Sequence, residues 1–262
     1  YEIGVQDNDT LERHFHPEVV PAELKRKSMN IHIDFAEVSD HIGIAGGVQD
    51  GEKIVLDPLT EKKLSMPFYR EVFQVAIGAP RGDRMSFQKV INFIVWLKKS
   101  GFNIGIVSTD QYQSSYVREN LAQQGFEVEK VSVDKTEDPY IGLRNLLQDQ
   151  RLDLIKHDLQ EIELINLQRV NGVINHPPQS KSNSTNLPCL SNGYNVKGIG
   201  KDCADALCGC LATLVAHAKV AAPHTKPVLN AIASVNGPRN YGIGRNGKPT
   251  YIPGFGQQYR KY

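Results

Sequence analysis

Three aspartates of this chain, Asp34, Asp110 and Asp205, occupy positions where carboxylates could hold a divalent cation. Asp34 lies within Ile31–Ala36, where apolar and polar residues alternate as they do in a strand. Because an aspartate is a poor strand former and costly to bury unpaired, a compensating positive charge, above all a divalent metal, is one interpretation. An edge-strand aspartate that faces water is the other interpretation.

Asp110 and Asp205 depend on other elements to bring them to Asp34. Asp110 follows the strand pattern Ile104–Thr109, at the carboxyl end of a predicted parallel strand, where open α/β sheets place their ligands. Asp205 lies one turn into a helix that begins at Asp202. If the first strand is central and the Asp110 strand is its neighbour, a helix packed across both brings Asp205 to the same point.

Carboxylates that meet at one point predict a cation between them. Three of them cannot all stay ionised without one, because each raises the pKa of its neighbours. Two divalent ions about 3.5–4 Å apart would offset this repulsion, activate a water and stabilise the leaving oxygen of a phosphodiester. Asp202, three residues before Asp205, shares a helical face with it and could reach the same metal or cap the helix.

The first strand patterns of the chain are joined by short connections. They lie at 30–36, 41–48, 53–56 and 71–77. Connections as short as these favour antiparallel pairing, because a parallel pair needs a long crossover. Asp50-Gly51 is a hairpin turn signal between the second and third of them.

Beyond Ser86, helix and strand patterns alternate. Ser86 could cap a helix that Gly101 stops. The predicted elements are helix 87–99, strand 104–109, helix 113–124, strand 126–133, mostly helical residues 139–167 with a break near Gln150, extended residues 170–175 and a last helix 201–222. This alternation is typical of a parallel βαβ region, so the predicted fold class is α/β with a mixed sheet flanked by helices.

Composition describes a globular chain with an uneven charge. Its 262 residues are 40% hydrophobic with a net charge of +1, enough for one large α/β domain with appendages. Residues 1–29 are predicted to be a connector with little core of its own, 30–222 the folded domain, and 223–262 a Gly/Pro-rich tail. No acidic residue follows Asp205, while seven Lys and Arg lie at 219–261. A basic tail of this kind suits a polyanionic partner, and a merely solvated tail is the alternative.

Cysteine spacing and hydropathy bear on the compartment. The cysteines are Cys189, Cys203, Cys208 and Cys210, and none forms a CxxC pair. Three lie on one predicted helix, where they are typical of small apolar core residues, which favours a reducing, intracellular compartment. No signal peptide pattern and no apolar run long enough to span a bilayer is found, so no membrane partner is expected.

The order of these features resembles the RNase H-like nucleases, and within them the nuclease domain of the large terminase subunit of tailed bacteriophages. The segments that carry the resemblance are His32–Ala36 with Asp40 downstream, Ser108–Gln113 followed by a helix, Lys201–Leu207, and the short stretch Val173–Pro177. It covers roughly residues 30–222. Each motif alone is weak, and their combined order is more specific.

The resemblance implies Asp34, Asp110 and Asp205 as catalytic residues and ligands of two Mg²⁺ or Mn²⁺ ions. The implied activity is cleavage of double-stranded DNA during viral genome packaging in the host cell cytoplasm. The implied partners are DNA, an ATPase domain that this chain lacks, the portal and the small terminase subunit. Lys201 could contact phosphate or be a solvated lysine beside the acidic site. The polar insert 179–200 departs from the family pattern and leaves the role of His176 open.

The basic tail holds two further candidates for DNA contacts, Arg245 and Lys248. They lie in Gly242–Pro249, which comes within one residue of a Walker A loop. Pro249 replaces the Ser or Thr that would bind Mg²⁺, and neither a strand nor a helix pattern flanks the segment. A nucleotide-binding loop is therefore not predicted here.

Two other function classes fit the same residues. A transposase or junction resolvase of the same fold is the nearest, although these usually carry Glu as the last acid, where this chain has Asp205. Glu37 lies three residues after Asp34, so the DxE signature of proofreading-type exonucleases is missing. The remaining alternative is a non-catalytic module that binds nucleic acid or a partner through the basic tail, with the acids serving as caps and surface charge.

Overall fold

A computed structural model describes residues 2–4, 10–35, 41–57, 60–78, 86–110, 114–170, 172–176, 184–185, 196–197 and 200–218. Within these ranges no helix is both long and apolar enough to cross a membrane.

A seven-stranded mixed sheet forms the centre of the fold. Its strands are β1 (Glu2–Gly4), β2 (Met29–Asp34), β3 (His41–Leu56), β4 (Lys63–Gly78), β5 (Ile104–Thr109), β6 (Glu127–Lys130) and β7 (Leu152–Asp153). Their order is β1-β4-β3-β2-β5-β6, and β7 also pairs with β4. β3 is antiparallel to β2 and β4, whereas β5 is parallel to β2 and β6. The predicted mixed sheet, antiparallel first and then parallel, is confirmed, with β2 central and β5 beside it.

Helices cover both faces of this sheet. They are α1 (Ala22–Arg26), α2 (Phe87–Lys99), α3 (Ser115–Gln123), α4 (Asp138–Gln148), α5 (Asp158–Asn166) and α6 (Asp202–Ala216). α2 and α3 share one core with the sheet, and α4 and α6 share a second core. Two small antiparallel pairs complete the described chain: β8 (Gln168–Val170) with β9 (Val173–Asn175), and β10 (Ser184–Thr185) with β11 (Val196–Lys197).

The helix predicted over 87–99 is present with those bounds. Apolar residues recur at helical spacing along it, and Val90, Ile91 and Ile94 are buried against the sheet. Gly101 follows with a φ of 92°, a conformation that glycine adopts without strain, and the helix ends before it. The predicted cap is wrong in detail, because the Ser86 side chain makes no capping hydrogen bond.

Small residues let α6 lie close to the sheet. A Cβ atom on Gly43 of β3 would lie 2.1 Å from the backbone oxygen of Asp202. One on Gly209 of α6 would lie 2.4 Å from the His32 ring. The cysteines that the structure describes, Cys203, Cys208 and Cys210, are buried along α6, as predicted for small core residues. This close packing carries the first turn of α6 to the end of β2.

Gly209→Ala is predicted to destabilise the fold by about 2 kcal/mol, because the new methyl group overlaps the buried His32 ring. Helix propensity alone predicts the opposite sign, a gain of up to about 1 kcal/mol. Urea unfolding of the two proteins therefore decides between packing and propensity. A more stable variant would show that α6 is free to move away from β2.

The hairpin turn predicted at Asp50-Gly51 is wrong. Both residues lie inside β3, which runs on to Leu56. Gly51 has a φ of 97°, and the register with β4 shifts between Gln49 and Glu52. The positive φ thus produces a bulge within a long strand rather than a chain reversal. β4 correspondingly starts at Lys63, earlier than the strand predicted over 71–77.

Residues 10–29 pack as part of the domain, which corrects the interpretation of residues 1–29 as a connector with little core of its own. Leu11 and Phe15 are buried in the core shared with α2. The Phe15 ring lies edge-on to Phe73 at 5.4 Å and to Phe93 at 5.6 Å between centroids. No helical or strand periodicity marks Leu11 and Phe15, because short 3-10 turns around them, not regular elements, bring them inward.

The predicted helical region 139–167 consists of two helices with a break at the expected place. Gln150 has a φ of 53°, which ends the path of α4 and lets the next residues form β7. The predicted strand 126–133 is shorter, and the last helix is described as far as Ala216. The predicted tail 223–262 and most of the insert 179–200 lie outside the described residues.

Candidate metal centre

Asp34 ends the central strand β2, where the side chain is only partly exposed. Burial of its carboxyl group, followed by the charges of Asp205 and Asp202, raises its pKa well above the usual 3.8. In β3, Gly43 lies opposite Asp34. Since the backbone of Asp202 packs on Gly43, the start of α6 lies directly over the end of β2. The central strand and the last helix therefore bring two acidic motifs together.

Asp205 is the most enclosed of these acids, with 3% of its surface exposed. Both of its carboxylate oxygens have partners. The Tyr140 hydroxyl donates to Oδ1, and the Lys201 ammonium donates to Oδ2. Burial raises the pKa of Asp205 to about 6 in spite of the Lys201 charge, and Asp134 adds to the rise. Ionised Asp205 thus depends on a cation beside it.

Lys201 supplies that cation in this structure. Its side chain is 13% exposed, and its Nζ bridges Asp205 and Asp134. Burial acts against its charged form, but the two carboxylates outweigh burial and raise its pKa above the usual 10.5. Of the two roles considered for Lys201, a phosphate contact and a solvated lysine, the second does not describe this geometry. Asp134 and Tyr140 have no signal in the sequence, because nothing local marks their contact with α6.

Asp110 lies at the neighbouring strand end. Ile33 of β2 pairs with Thr109 of β5, so the residues that follow them share one edge of the sheet. The Asp110 backbone carbonyl accepts hydrogen bonds from Ser114 and, at 3.3 Å, from Arg118. Within the described residues, no three His, Cys, Asp or Glu side chains converge closely enough to hold a metal ion as they stand.

Glu163 of α5 accepts hydrogen bonds from backbone N–H groups at the start of α6. Its carboxylate accepts the Ala204 backbone N–H at 2.9 Å, and the side chain is 1% exposed. Burial, followed by the negative charge of Asp202, raises the pKa of Glu163 well above 4.5. The residue at the N-cap position, Lys201, makes no capping bond of its own. One sequence signal existed: Glu163 lies four residues after the buried Leu159, on the inner face of its helix.

Glu163→Ala is predicted to destabilise the protein by about 1–2 kcal/mol, because a buried helix terminus loses its acceptor. Glu163→Gln keeps a carbonyl oxygen in the same place and removes the cost of the buried charge, so it should be at least as stable as the wild type at pH 8. Glu161→Ala, on the exposed side of the same helix, is the matched control. Equal losses for Glu163→Ala and Glu161→Ala, measured by urea unfolding, would contradict the capping role.

Asp34, Asp134, Asp202 and Asp205 together form a carboxylate cluster at the end of β2. The remaining candidates lie away from this cluster or outside the described residues. His176 is partly buried, and its backbone N–H donates to the Asn175 side chain at 2.9 Å. Arg245 and Lys248 are not among the described residues. His32, on the same face of β2 as Asp34, hydrogen-bonds Ser108 at 2.8 Å, and burial lowers its pKa to about 3. It is therefore a neutral core residue.

The donor chemistry of this cluster fits Mg²⁺ or Mn²⁺. The side chains around Asp205 offer carboxylate oxygens, which these hard cations prefer. Burial and neighbouring carboxylates raise the pKa of both Asp34 and Asp205, so a positive charge beside them would favour their ionised forms. A divalent ion would supply more of that charge than one ammonium group.

Comparisons with known proteins return solved structures alone. No family model matches the chain, and no curated protein matches it. The large terminase nuclease from thermophilic phage G20c is 13% identical with a TM-score of 0.45, over 71% of this chain and 82% of that one. The HK97 bacteriophage large terminase is 11% identical with a TM-score of 0.42, over 71% of this chain and 39% of that one. The chain is similar to large terminase nuclease structures.

Proposed function

We propose that this chain is a divalent-metal-dependent endonuclease that cleaves double-stranded DNA during viral genome packaging. The observation that carries the proposal is the meeting of Asp34 and Asp205 at the carboxyl end of the central strand, both enclosed and both with a raised pKa. Buried carboxylates in a cleft whose charges are incompletely balanced are typical of a cation site. The resemblance of the segments around Asp34, Asp110 and Asp205 to terminase nuclease domains suggests double-stranded DNA as the substrate.

Asp34 and Asp205 would hold the metal, with Asp110 as a third ligand and Asp202 as a nearby acid. When bound, Mg²⁺ or Mn²⁺ lowers the pKa of a water and stabilises charge on the phosphodiester oxygens, and two ions would divide these tasks. The chain's own residues orient the ligands. Tyr140 holds Oδ1 of Asp205, so Oδ2, now facing Lys201, is the oxygen offered to the cation.

Lys201 has two functions in this proposal. Its ammonium group pairs with Asp205 and Asp134, and it would balance their charge until a metal binds. With a divalent ion held by Asp34 and Asp205, the ammonium group would be free to contact a phosphate of the DNA backbone. Such a contact, like contacts from Arg245 and Lys248, carries no base information, so cleavage should show little sequence preference.

The partners and the cellular location of the protein are part of the same proposal. The ATPase domain, the portal and the small terminase subunit are the proposed partners, and the host cell cytoplasm is the proposed location. They rest on the motif resemblance of Asp34, Asp110 and Asp205 with their surrounding segments. A resolvase-type nuclease would use the same metal chemistry and would differ in its preference for branched DNA.

Nicking of supercoiled plasmid tests the proposal. The wild-type protein should nick in Mg²⁺ or Mn²⁺ and not in EDTA, and Asp205→Asn should nick at least about 10³-fold more slowly. Asp50→Asn, which changes an acid on β3 paired with Lys27 and Arg70, is the control and should nick normally. DNA binding without metal-dependent nicking would support the non-catalytic module instead. A strong preference for four-way junctions over linear DNA would support a resolvase.

A further inference from the structure

Arg118, the fourth residue of α3, lies beside the strand end that carries Asp110. Its side chain is half-buried, and its Nη1 atom donates hydrogen bonds to neutral oxygens. The acceptors are the Thr109 hydroxyl at 2.9 Å, the Asp110 carbonyl at 3.3 Å and the Ser114 hydroxyl. One guanidinium group therefore ties the end of β5 to the start of α3.

These contacts are not the ones that would stabilise α3 as a helix. A cation this close to the helix N-terminus gains nothing from the helix dipole, which favours acids there. Ser114 occupies the N-cap position, yet its hydroxyl makes no capping hydrogen bond and donates to the Asp110 carbonyl instead. Arg118 and Ser114 therefore both hold the strand end rather than the helix.

Hydrogen bonds fix the backbone on both sides of the Asp110 Cα atom. On the preceding side, the Thr109 carbonyl accepts the Val131 N–H at 3.0 Å, which extends the pairing of β5 with β6. On the following side, Ser114 and Arg118 hold the Asp110 carbonyl. Because peptide groups are planar and only φ and ψ rotate easily, two fixed planes set the direction in which the Asp110 side chain leaves the backbone.

The direction of the Asp110 side chain matters at this edge of the sheet. Ile33 of β2 pairs with Thr109 of β5, and Asp34 and Asp110 follow directly after them. Metal affinity depends on the groups that orient the ligands as well as on the ligands themselves. A carboxylate that shares a metal with Asp34 therefore benefits from a backbone that is held in place.

We propose that Arg118 is a positioning residue of the metal centre, which holds the Asp110 backbone so that its side chain starts beside Asp34. This role rests on the proposed function, because it requires Asp110 as a metal ligand. An arginine suits the task, since its rigid planar head stays charged and loses less side-chain freedom for each hydrogen bond than a lysine does.

The Mn²⁺ affinity of the full chain without DNA, measured by calorimetric titration, tests this role. Arg118→Met removes the donors but keeps most of the aliphatic stem, and it should weaken Mn²⁺ binding by about tenfold, as changes behind a metal ligand do. Loss of the positive charge alone would act in the opposite direction and strengthen cation binding. Arg26→Met, which changes an exposed arginine near the opposite end of β2, is the control and should bind Mn²⁺ like the wild type.

An Asp110→Asn background separates positioning from a general effect on the fold. Asp110→Asn alone should weaken Mn²⁺ binding. Adding Arg118→Met to it should cause no further loss of affinity, because both changes act through the same ligand. Additive losses would mean that Arg118 acts on another part of the protein, and they would overturn the positioning role.

The remaining outcomes separate a failure of this role from a failure of the proposed function. If Asp110→Asn weakens Mn²⁺ binding and Arg118→Met does not, only the positioning role fails. If the wild type binds no Mn²⁺, or Asp110→Asn binds it equally well, the ligand role of Asp110 fails as well. Weaker binding of duplex DNA by Arg118→Met in EDTA, with an unchanged Mn²⁺ affinity, would make Arg118 a phosphate contact instead.

Discussion

Asp34→Asn is expected to slow plasmid cleavage by about 10³-fold while making the metal-free fold more stable at pH 8. The kinetic loss, about 4 kcal/mol in the activation barrier, follows from removing a proposed metal ligand. The gain in stability follows from electrostatics. Because burial and Asp205 raise the pKa of Asp34, its stabilising contribution is present below the unfolded value of 3.8 and is lost as pH rises through the folded value. Asparagine removes the cost of the charged form.

The two effects have opposite signs, which separates a functional carboxylate from a structural one. Cleavage is measured in Mg²⁺, and stability is measured by urea unfolding in EDTA. Asp50→Asn is the control for both, and it should keep its activity and lose a little stability, because Asp50 pairs with Lys27 and Arg70. A less stable Asp34→Asn protein in EDTA would mean that the carboxylate makes favourable contacts without metal. Unchanged cleavage would remove Asp34 from the site.

Glu71→Gln is expected to stabilise the protein by up to about 3 kcal/mol at pH 8 and by little at pH 5. The Glu71 pKa is raised from 4.5 to about 7 by burial, and each unit of pKa corresponds to about 1.4 kcal/mol. Its stabilising contribution is therefore complete below pH 4.5 and is lost as pH rises through 7. Glutamine stays neutral, so the difference between the two proteins should grow between pH 5 and pH 8.

The quantity to measure is the difference in the free energy of unfolding between Glu71→Gln and the wild type. The other acids with a raised pKa titrate equally in both proteins and cancel in this difference. Urea unfolding at intervals from pH 5 to pH 8 gives it directly. Asp153→Asn, which removes an exposed acid from the same region, is the control. A wild type that is as stable as Glu71→Gln at pH 8 would show that a cation already neutralises Glu71 in the protein.

Local patterns were sufficient to predict most of the fold. The alternation in β2 and the helical spacing in α2 depend on neighbours in the sequence, and both elements form where they were predicted. The central place of β2 followed from the order of the elements. Gly51 was misread because a glycine with positive φ serves a bulge as well as a turn. The inward packing of Leu11 and Phe15 was missed because irregular turns have no period to detect.

Only those residues of the carboxylate cluster that lie in a sequence motif were predicted. Asp34 is identified because an acid in an apolar strand is unusual in sequence, and Asp205 because its helix was predicted to pack across that strand. Tyr140, Asp134 and Glu163 are not, because each contact joins residues far apart in the chain. The packing of α4, α5 and the connection between β6 and α4 against the start of α6 creates these contacts. The role of Lys201 as the resident cation likewise needs the folded geometry.

Manganese binding tests the central claim most directly. Crystals of the protein soaked in MnCl₂ and measured for anomalous scattering should show a peak beside the carboxylates of Asp34 and Asp205. The Lys201 ammonium should then have left Oδ2 of Asp205. A map without a peak at this cluster, with Lys201 still bridging Asp205 and Asp134 in protein saturated with Mn²⁺, would contradict the assignment of a metal-dependent nuclease.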